Sequence, residues 1–247
     1  MNFKIFINIL FFSFIFLVSC RKENGFDCFK GVGKHTTEYR NLSSFQIITI
    51  NDPFQVYLIQ DSINKIELVG GENIIGLVSS NIANNELIIR NNNKCNWSRS
   101  YKKSIITLNI HFTKLDSLYI LGECDLFSKD TLYLNKFRLD VKSVGTIDLK
   151  VKAHNFIFWP IGNGDFKISG NTDYYFLGSV GSGNIYCTEF KSHFTQIASK
   201  STANSYIYSD GILIIDDIGY GNIFYSGNPD SINIKQHTGT GQLIQLN

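Results

Sequence analysis

Asp125, Asp148 and Asp165 return at similar intervals in the second half of the chain, and Lys150 and Lys167 each follow an aspartate by two residues. Carboxylates repeated beside ammonium groups are side chains that can cut polysaccharides. Two carboxylates across a cleft serve as acid and base or nucleophile, and a carboxylate–metal pair with a basic residue nearby can also do this chemistry. A carbohydrate-active enzyme of the lyase or glycosidase kind is therefore one reading. The same place in later repeats holds Asn184, Asn204, Asn222 and Gln242, which keep hydrogen bonding and lose charge. That drift suits corner residues bonding nearby backbone amides, so no catalytic residue is assigned.

Other reactive patterns find little support. His35, His111, His154, His193 and His237 form neither HExxH nor a close His/Cys cluster, so no metal site is assigned. The Gly doublets superficially resemble nucleotide loops, but no helix follows them, and GxxxxGK[ST] and GxSxG are absent. No cofactor is expected. What remains is a surface: Tyr186, Tyr206 and Phe224, with Tyr208 and Tyr220 nearby, alternate with apolar residues. Such rings either stack sugars or a partner's side chains, or form a ladder that stabilises adjacent strands. Together with Lys150 and Lys167 they make the candidate binding face, for a glycan or protein ligand.

These residues are positioned by one recurring phrase: Gly or Ser, two residues, an Asp, Asn or Gln, then alternation. It reads GECDLFS at 122–128, GTIDLKV at 145–151, GNGDFKI at 162–168 and GSGNIYC at 181–187, then STANSYI at 201–207, GYGNIFY at 219–225 and GTGQLIQ at 239–245. The steps are 23, 17, 19, 20, 18 and 20 residues, and a period near 20 predicts a solenoid. Fourteen of the 20 glycines lie in 122–247, where they permit positive φ and close approach at corners. A second strand-like run separates the phrases, so each coil carries two strands, and seven coils at about 4.8 Å stack to roughly 30 Å. The pleat turns Leu126, Leu149, Phe166, Ile185, Ser205, Ile223 and Leu243 inward. It turns Phe127, Lys150, Lys167, Tyr186, Tyr206, Phe224 and Ile244 outward, with Asp125, Asp148 and Asp165 at the corners.

Composition agrees with an all-β body. Ile, Phe, Tyr, Val and Thr are abundant, and a single Met and few Ala leave little to favour helix. Lys plus Arg exceed Asp plus Glu by two, too little for a basic field, so no nucleic acid partner is expected. Residues 1–19 read as a targeting segment: Lys4, then an apolar run from Ile5 to Val18 that is short for a membrane span. It ends in Leu17-Val18-Ser19-Cys20, which resembles the lipobox of bacterial lipoproteins and makes Cys20 the lipidation site and membrane anchor. Residues 20–43 read as lipidated Cys and tether, and 44–247 as the body. The address implied is the cell envelope, as an outer-membrane lipoprotein. An oxidising compartment admits a Cys28–Cys95 bridge that their spacing does not demand, and Cys187 reads as a buried small hydrophobe.

Residues 44–121 supply N-terminal strands at Phe45 to Ile50, Phe54 to Gln60, Lys65 to Val69 and Glu86 to Arg90, with a helical turn or short strand within 71–81. Asn91 to Lys103 reads as a loop, and Ile105 to Phe112 resumes alternation. The order of DPFQVYLIQ at 52–60, VGGENIIGLV at 69–78, ELIIR at 86–90, LDSLYILGECD at 115–125, the GxGD or GxGN corners and GYGNIFYSGNP at 219–229 is similar to the auto-transporter adhesin head (GIN) domain family. The resemblance spans about 45–247. It implies a β-helix-like solenoid of pectin-lyase shape in an exported lipoprotein, an adhesive role and no catalytic residues. A structural role in envelope assembly is a further reading. The chain departs from the pattern at Gly122-Glu123-Cys124, Gly145-Thr146-Ile147 and Ser201-Thr202-Ala203, where the second Gly is missing.

Overall fold

A computed structural model describes residues 31–93, 105–142 and 144–246. The leader, Cys20, the Cys28–Cys95 bridge and most of the loop at 91–103 lie outside the described residues. The first part of the chain forms β1 (His35–Asn41), β2 (Ile47–Ile50), β3 (Phe54–Gln60), β4 (Lys65–Gly71), a helical turn α1 (Glu72–Ile75), β5 (Val78–Ala83), β6 (Glu86–Asn91) and β7 (Thr107–Phe112). Then come β8 (Ser117–Ile120), β9 (Cys124–Ser128), β10 (Leu132–Val141), β11 (Ile147–Gly162), β12 (Phe166–Gly181) and β13 (Ile185–Tyr186). The last are β14 (Phe190–Ser199), β15 (Ser205–Tyr208), β16 (Ile212–Asp217), β17 (Ile223–Ser226), β18 (Ser231–His237) and β19 (Leu243–Gln245).

Parallel pairing stacks these strands into a β-solenoid, as the period predicts. One column runs β7, β3, β9, the starts of β11 and β12, then β13, β15, β17 and β19. The other runs β6, β2, β8, the ends of β10, β11 and β12, then β14, β16 and β18. The first levels are out of chain order: β2 and β3 lie between the coil made by β6 and β7 and the coil made by β8 and β9. The outer end is closed by antiparallel strands, β4 on β7, β1 on β4 and β5 on β6.

Strand β1 corrects the tether reading, because residues 35–41 pair along their whole length with β4. HTTEYRN covers one side of the cap and is mostly exposed, so it carries no apolar alternation by which to recognise it. The segment at 71–81 holds both expected alternatives, α1 and then the start of β5.

Inside, register puts like on like. Leu87, Ile48, Leu118, Leu139, Phe158, Leu177, Ile197 and Ile215 form a single file in which every member is fully buried. Full burial of such a side chain stabilises by about 1.5–3 kcal/mol, far more than any surface pair, so the core sets the register.

That register corrects one phrase. Ile147 stacks between Leu126 and Phe166, and Asp148 between Phe127 and Lys167. Thr146 therefore takes the corner, Ile147 the inward place and Asp148 the outward place expected for Lys150. Leu149 is buried one step further along, beside Ile168. The reason is space. A Cβ on Gly145 would lie 2.1 Å from the Cys124 carbonyl oxygen, and one on Gly164 2.1 Å from the Gly145 oxygen. Gly145 is thus the second glycine of its phrase.

Candidate functional site

The phrase column has three sides: an inward residue, a corner and an outward strip. At the corners, side-chain oxygens bond the next coil's backbone. Asp125 Oδ1 accepts from the Thr146 N–H at 2.8 Å, and Asn184 Oδ1 from the Asn204 N–H at 3.2 Å. Asn204 Oδ1 accepts from the Asn222 N–H at 2.9 Å, and Asn222 Oδ1 from the Gln242 N–H at 2.9 Å. The amides and Asp125 thus stitch coil to coil, which is backbone bonding of the kind expected. Asp165 is exposed at its corner.

The outward strip runs Asn109, Tyr57, Phe127, Asp148, Lys167, Tyr186, Tyr206, Phe224, Ile244. It brings Lys167, Tyr186, Tyr206 and Phe224 together in line. Lys150 stands off it, two residues beyond Asp148 and opposite Ser169. Tyr186 and Tyr206 lie 5.4 Å apart at 12°, and Tyr206 and Phe224 4.8 Å apart at 8°. Rings so nearly parallel cover one another's faces and turn edges and hydroxyls to solvent. They form the strand-stabilising ladder, whose pairs each contribute about 0.2–1 kcal/mol. Lys167 Nζ sits 3.4 Å from Asp148 Oδ2 with both side chains about half exposed.

Tyr57 was not legible as part of the strip. It stacks on Phe127 at 5.4 Å and 29°, so the N-terminal strands lengthen the strip rather than cover it. The available signal was the alternation Phe54, Val56, Leu58, whose first two members match Cys124 and Leu126 in register.

Beside this pair the regular surface is broken. The β9–β11 ladder stops after Phe127 and Asp148, and the next contact is the Lys150 N–H donating to Ser128 Oγ at 2.9 Å. Residues 129–131 belong to no strand: the Lys129 N–H donates to the Leu58 carbonyl at 3.2 Å, and the Gln60 side chain accepts from the Tyr133 N–H at 2.7 Å and donates to its carbonyl at 2.9 Å. The result is an open groove of about 590 Å³ lined by Tyr57, Phe127, Lys129, Asp130, Asp148 and Lys150, with hydroxyls from Ser128, Thr131 and Ser169.

Other reactive groups lie elsewhere. His111, in the N-terminal cap, sits between Asp61 at 2.8 Å and Glu67 at 3.3 Å. His154 pairs with Asp173 at 2.5 Å, His193 with Asp210 at 3.3 Å and His237 with Asp217 at 3.4 Å. Among the described residues no group of three or more His, Cys, Asp and Glu is arranged to hold a metal ion. Cys187 is fully buried, as its alternation predicts, and accepts from the Tyr175 hydroxyl at 3.4 Å. Burial pushes its thiol up to about 12 and raises that of Cys124 as well, the opposite of what a nucleophile needs.

Stacked parallel coils, amide-stitched corners and an outward strip define a β-solenoid scaffold. More particularly, the chain belongs to the family described as putative auto-transporter adhesin, head GIN domain, whose model matches residues 44–229. The fold is shared with a crystal structure of a putative adhesin from Bacteroides fragilis, at 20% identity and a TM-score of 0.77, over 86% of this chain and 97% of that one. A putative adhesin from Parabacteroides distasonis matches at 14% identity and 0.66, over 87% and 98%. A putative lipid binding protein from the same species matches at 16% and 0.60, over 88% and 98%. No curated protein matches it in sequence. Among the described residues no helix is long and apolar enough to cross a membrane.

Proposed function

We propose that this protein is a non-enzymatic binding module of the cell envelope, tethered to the outer membrane by a lipid on Cys20, that meets its ligand along the outward strip. The observation that carries the reading is the division of labour within each coil. Corner amides and Asp125 are occupied with backbone N–H groups, whereas the strip presents the half-exposed Asp148–Lys167 pair, the Tyr186 and Tyr206 hydroxyls and the Phe224 edge in register. A repeated, one-dimensional surface suits an extended partner. Membership of an adhesin-head family and the solved structures named as putative adhesins support an adhesive role.

The test is binding of purified protein to a panel of glycans, mucins and envelope proteins, with Tyr186→Ala, Tyr206→Ala and Lys167→Gln to locate the contact. Loss of binding in these variants without loss of fold is expected. Absence of any ligand would sink the reading, as would release of sugar from a polysaccharide abolished by Asp165→Asn. Incorporation of labelled fatty acid, lost in Cys20→Ala, checks the anchor. Protease shaving of intact cells decides which leaflet carries it.

A further inference from the structure

We infer that the groove at the broken β9–β11 ladder is a subsite for a carboxylated sugar, with Lys129 and Lys150 recognising the carboxylate. The inference rests on the binding reading above and adds to it a ligand class and a place. The same column is also short at β12–β13 and β13–β15, where pairing stops after two residues. At β9–β11 the opening is held by side chains: Ser128 Oγ replaces a backbone acceptor for Lys150, and the Gln60 side chain clamps Tyr133 through both its backbone groups. Its volume of about 590 Å³ is that of a small-ligand site.

The lining gives the chemistry. Lys129 and Lys150 are exposed and neither makes an ion pair among the described residues, while Asp148 is engaged by Lys167. The lining holds two ammonium groups, Lys129 and Lys150, and two carboxylates, Asp130 and Asp148; Lys167, just outside it, is the partner of Asp148, so one positive charge is left over for a ligand anion. The half-buried edges of Tyr57 and Phe127 offer an apolar wall to the C–H side of a pyranose. Thr131, Ser169 and Asp130 supply hydroxyls and an acceptor for ring hydroxyls. An anion alone would need none of these, and a neutral sugar would leave the lysines unused. Each coil steps along the strip by about 4.8 Å, comparable to one residue of an extended glycan, so a chain seated in the groove continues past Lys167.

Calorimetry on the full-length protein tests this with four probes: an oligogalacturonate, its carboxyl-reduced counterpart, sialyllactose, and a sulfated oligosaccharide of similar length. At least one carboxylated probe is expected to bind about tenfold or more tighter than both the reduced and the sulfated probes, the scale of one charge-assisted hydrogen bond. Which one binds separates uronate-bearing from sialylated sources. Lys150→Gln and Lys129→Gln should each weaken that binding about tenfold with unchanged circular dichroism and melting temperature, while Lys191→Gln on β14 should not. Equal binding of the reduced or sulfated probe overturns the inference, as does indifference to both lysine changes. Binding of other ligands to the strip with no carboxylate preference overturns it alone and leaves the proposed function standing. No ligand of any class overturns both.

Discussion

Glycine in this chain is chiefly a matter of space. Of the glycines within the corner phrases, only Gly181 has positive φ, at 132°. Gly122, Gly145, Gly164, Gly183, Gly219, Gly221, Gly239 and Gly241 are held by close approach: a Cβ on Gly183 would sit 1.9 Å from the Gly164 carbonyl oxygen, and that oxygen belongs to backbone that cannot yield. Gly183→Ala should therefore cost about 1–3 kcal/mol in urea or thermal unfolding, by overpacking. Gly76→Ala, where nothing lies within 4 Å, should be close to neutral. The corner amides make a parallel case. Asn204→Ala removes the acceptor for the Asn222 N–H in a half-buried corner and should cost about 1–2 kcal/mol, whereas Asn204→Asp keeps the oxygen and should lose less. Equal losses in the two variants would mean that the amide works through its N–H₂ group instead.

At the scale of elements, the closing strands answer to acid. Glu67 on β4 accepts from Lys65 Nζ at 2.9 Å and from Asn109 Nδ2 at 3.2 Å, and these partners hold its carboxyl below the ordinary value of 4.5 despite burial. Asp61 is held below 3.8, chiefly by its bond to His111. A depressed carboxyl contributes stability that is complete above its unfolded value and disappears as pH falls through its folded one. The antiparallel cap should therefore loosen below pH 4.5, seen as rising amide exchange in β1, β4 and β7. Glu67→Gln should be less stable at neutral pH and should flatten that acid limb; an unaltered limb would count against the pairing.

The same elements mark what could be read from sequence. The parallel coils were legible because both faces of the repeat are patterned: buried Ile185 and Ile223 alternate with Tyr186 and Phe224. β1 was not, since a polar outer strand leaves no period. The slip at Gly145 went unseen because one glycine can be either the first or the second of its pair, and only the crowding against Cys124 decides. The groove was invisible for a related reason: it exists where a ladder stops, and Ser128, Lys129 and Gln60 show no pattern that announces an interruption.

Across the whole molecule the two ends differ. At one, β4 and β5 satisfy the edges of β7 and β6 and β1 covers β4. At the other, β18 and β19 are hydrogen-bonded to β16 and β17, and among the described residues nothing pairs with their outer sides. Ile232 and Ile234 hold inward register over the buried Leu213 and Ile215, yet are 39% and 57% exposed. An unpaired strand that presents core side chains is a template for another strand, and stacked-repeat proteins ordinarily cover such ends with polar caps. Alternation of Ile232 and Ile234 on one side of β18 lets an antiparallel copy of that strand place isoleucine opposite isoleucine. The expected behaviour of the purified protein is concentration-dependent self-association in analytical ultracentrifugation. Ile234→Lys should abolish it, because a buried ammonium has no partner there. The side chain is already mostly in water, so the monomer should change by no more than about 0.5 kcal/mol. Association that persists in Ile234→Lys, or a monomer at every concentration in the unaltered protein, would show that this edge is silent in solution.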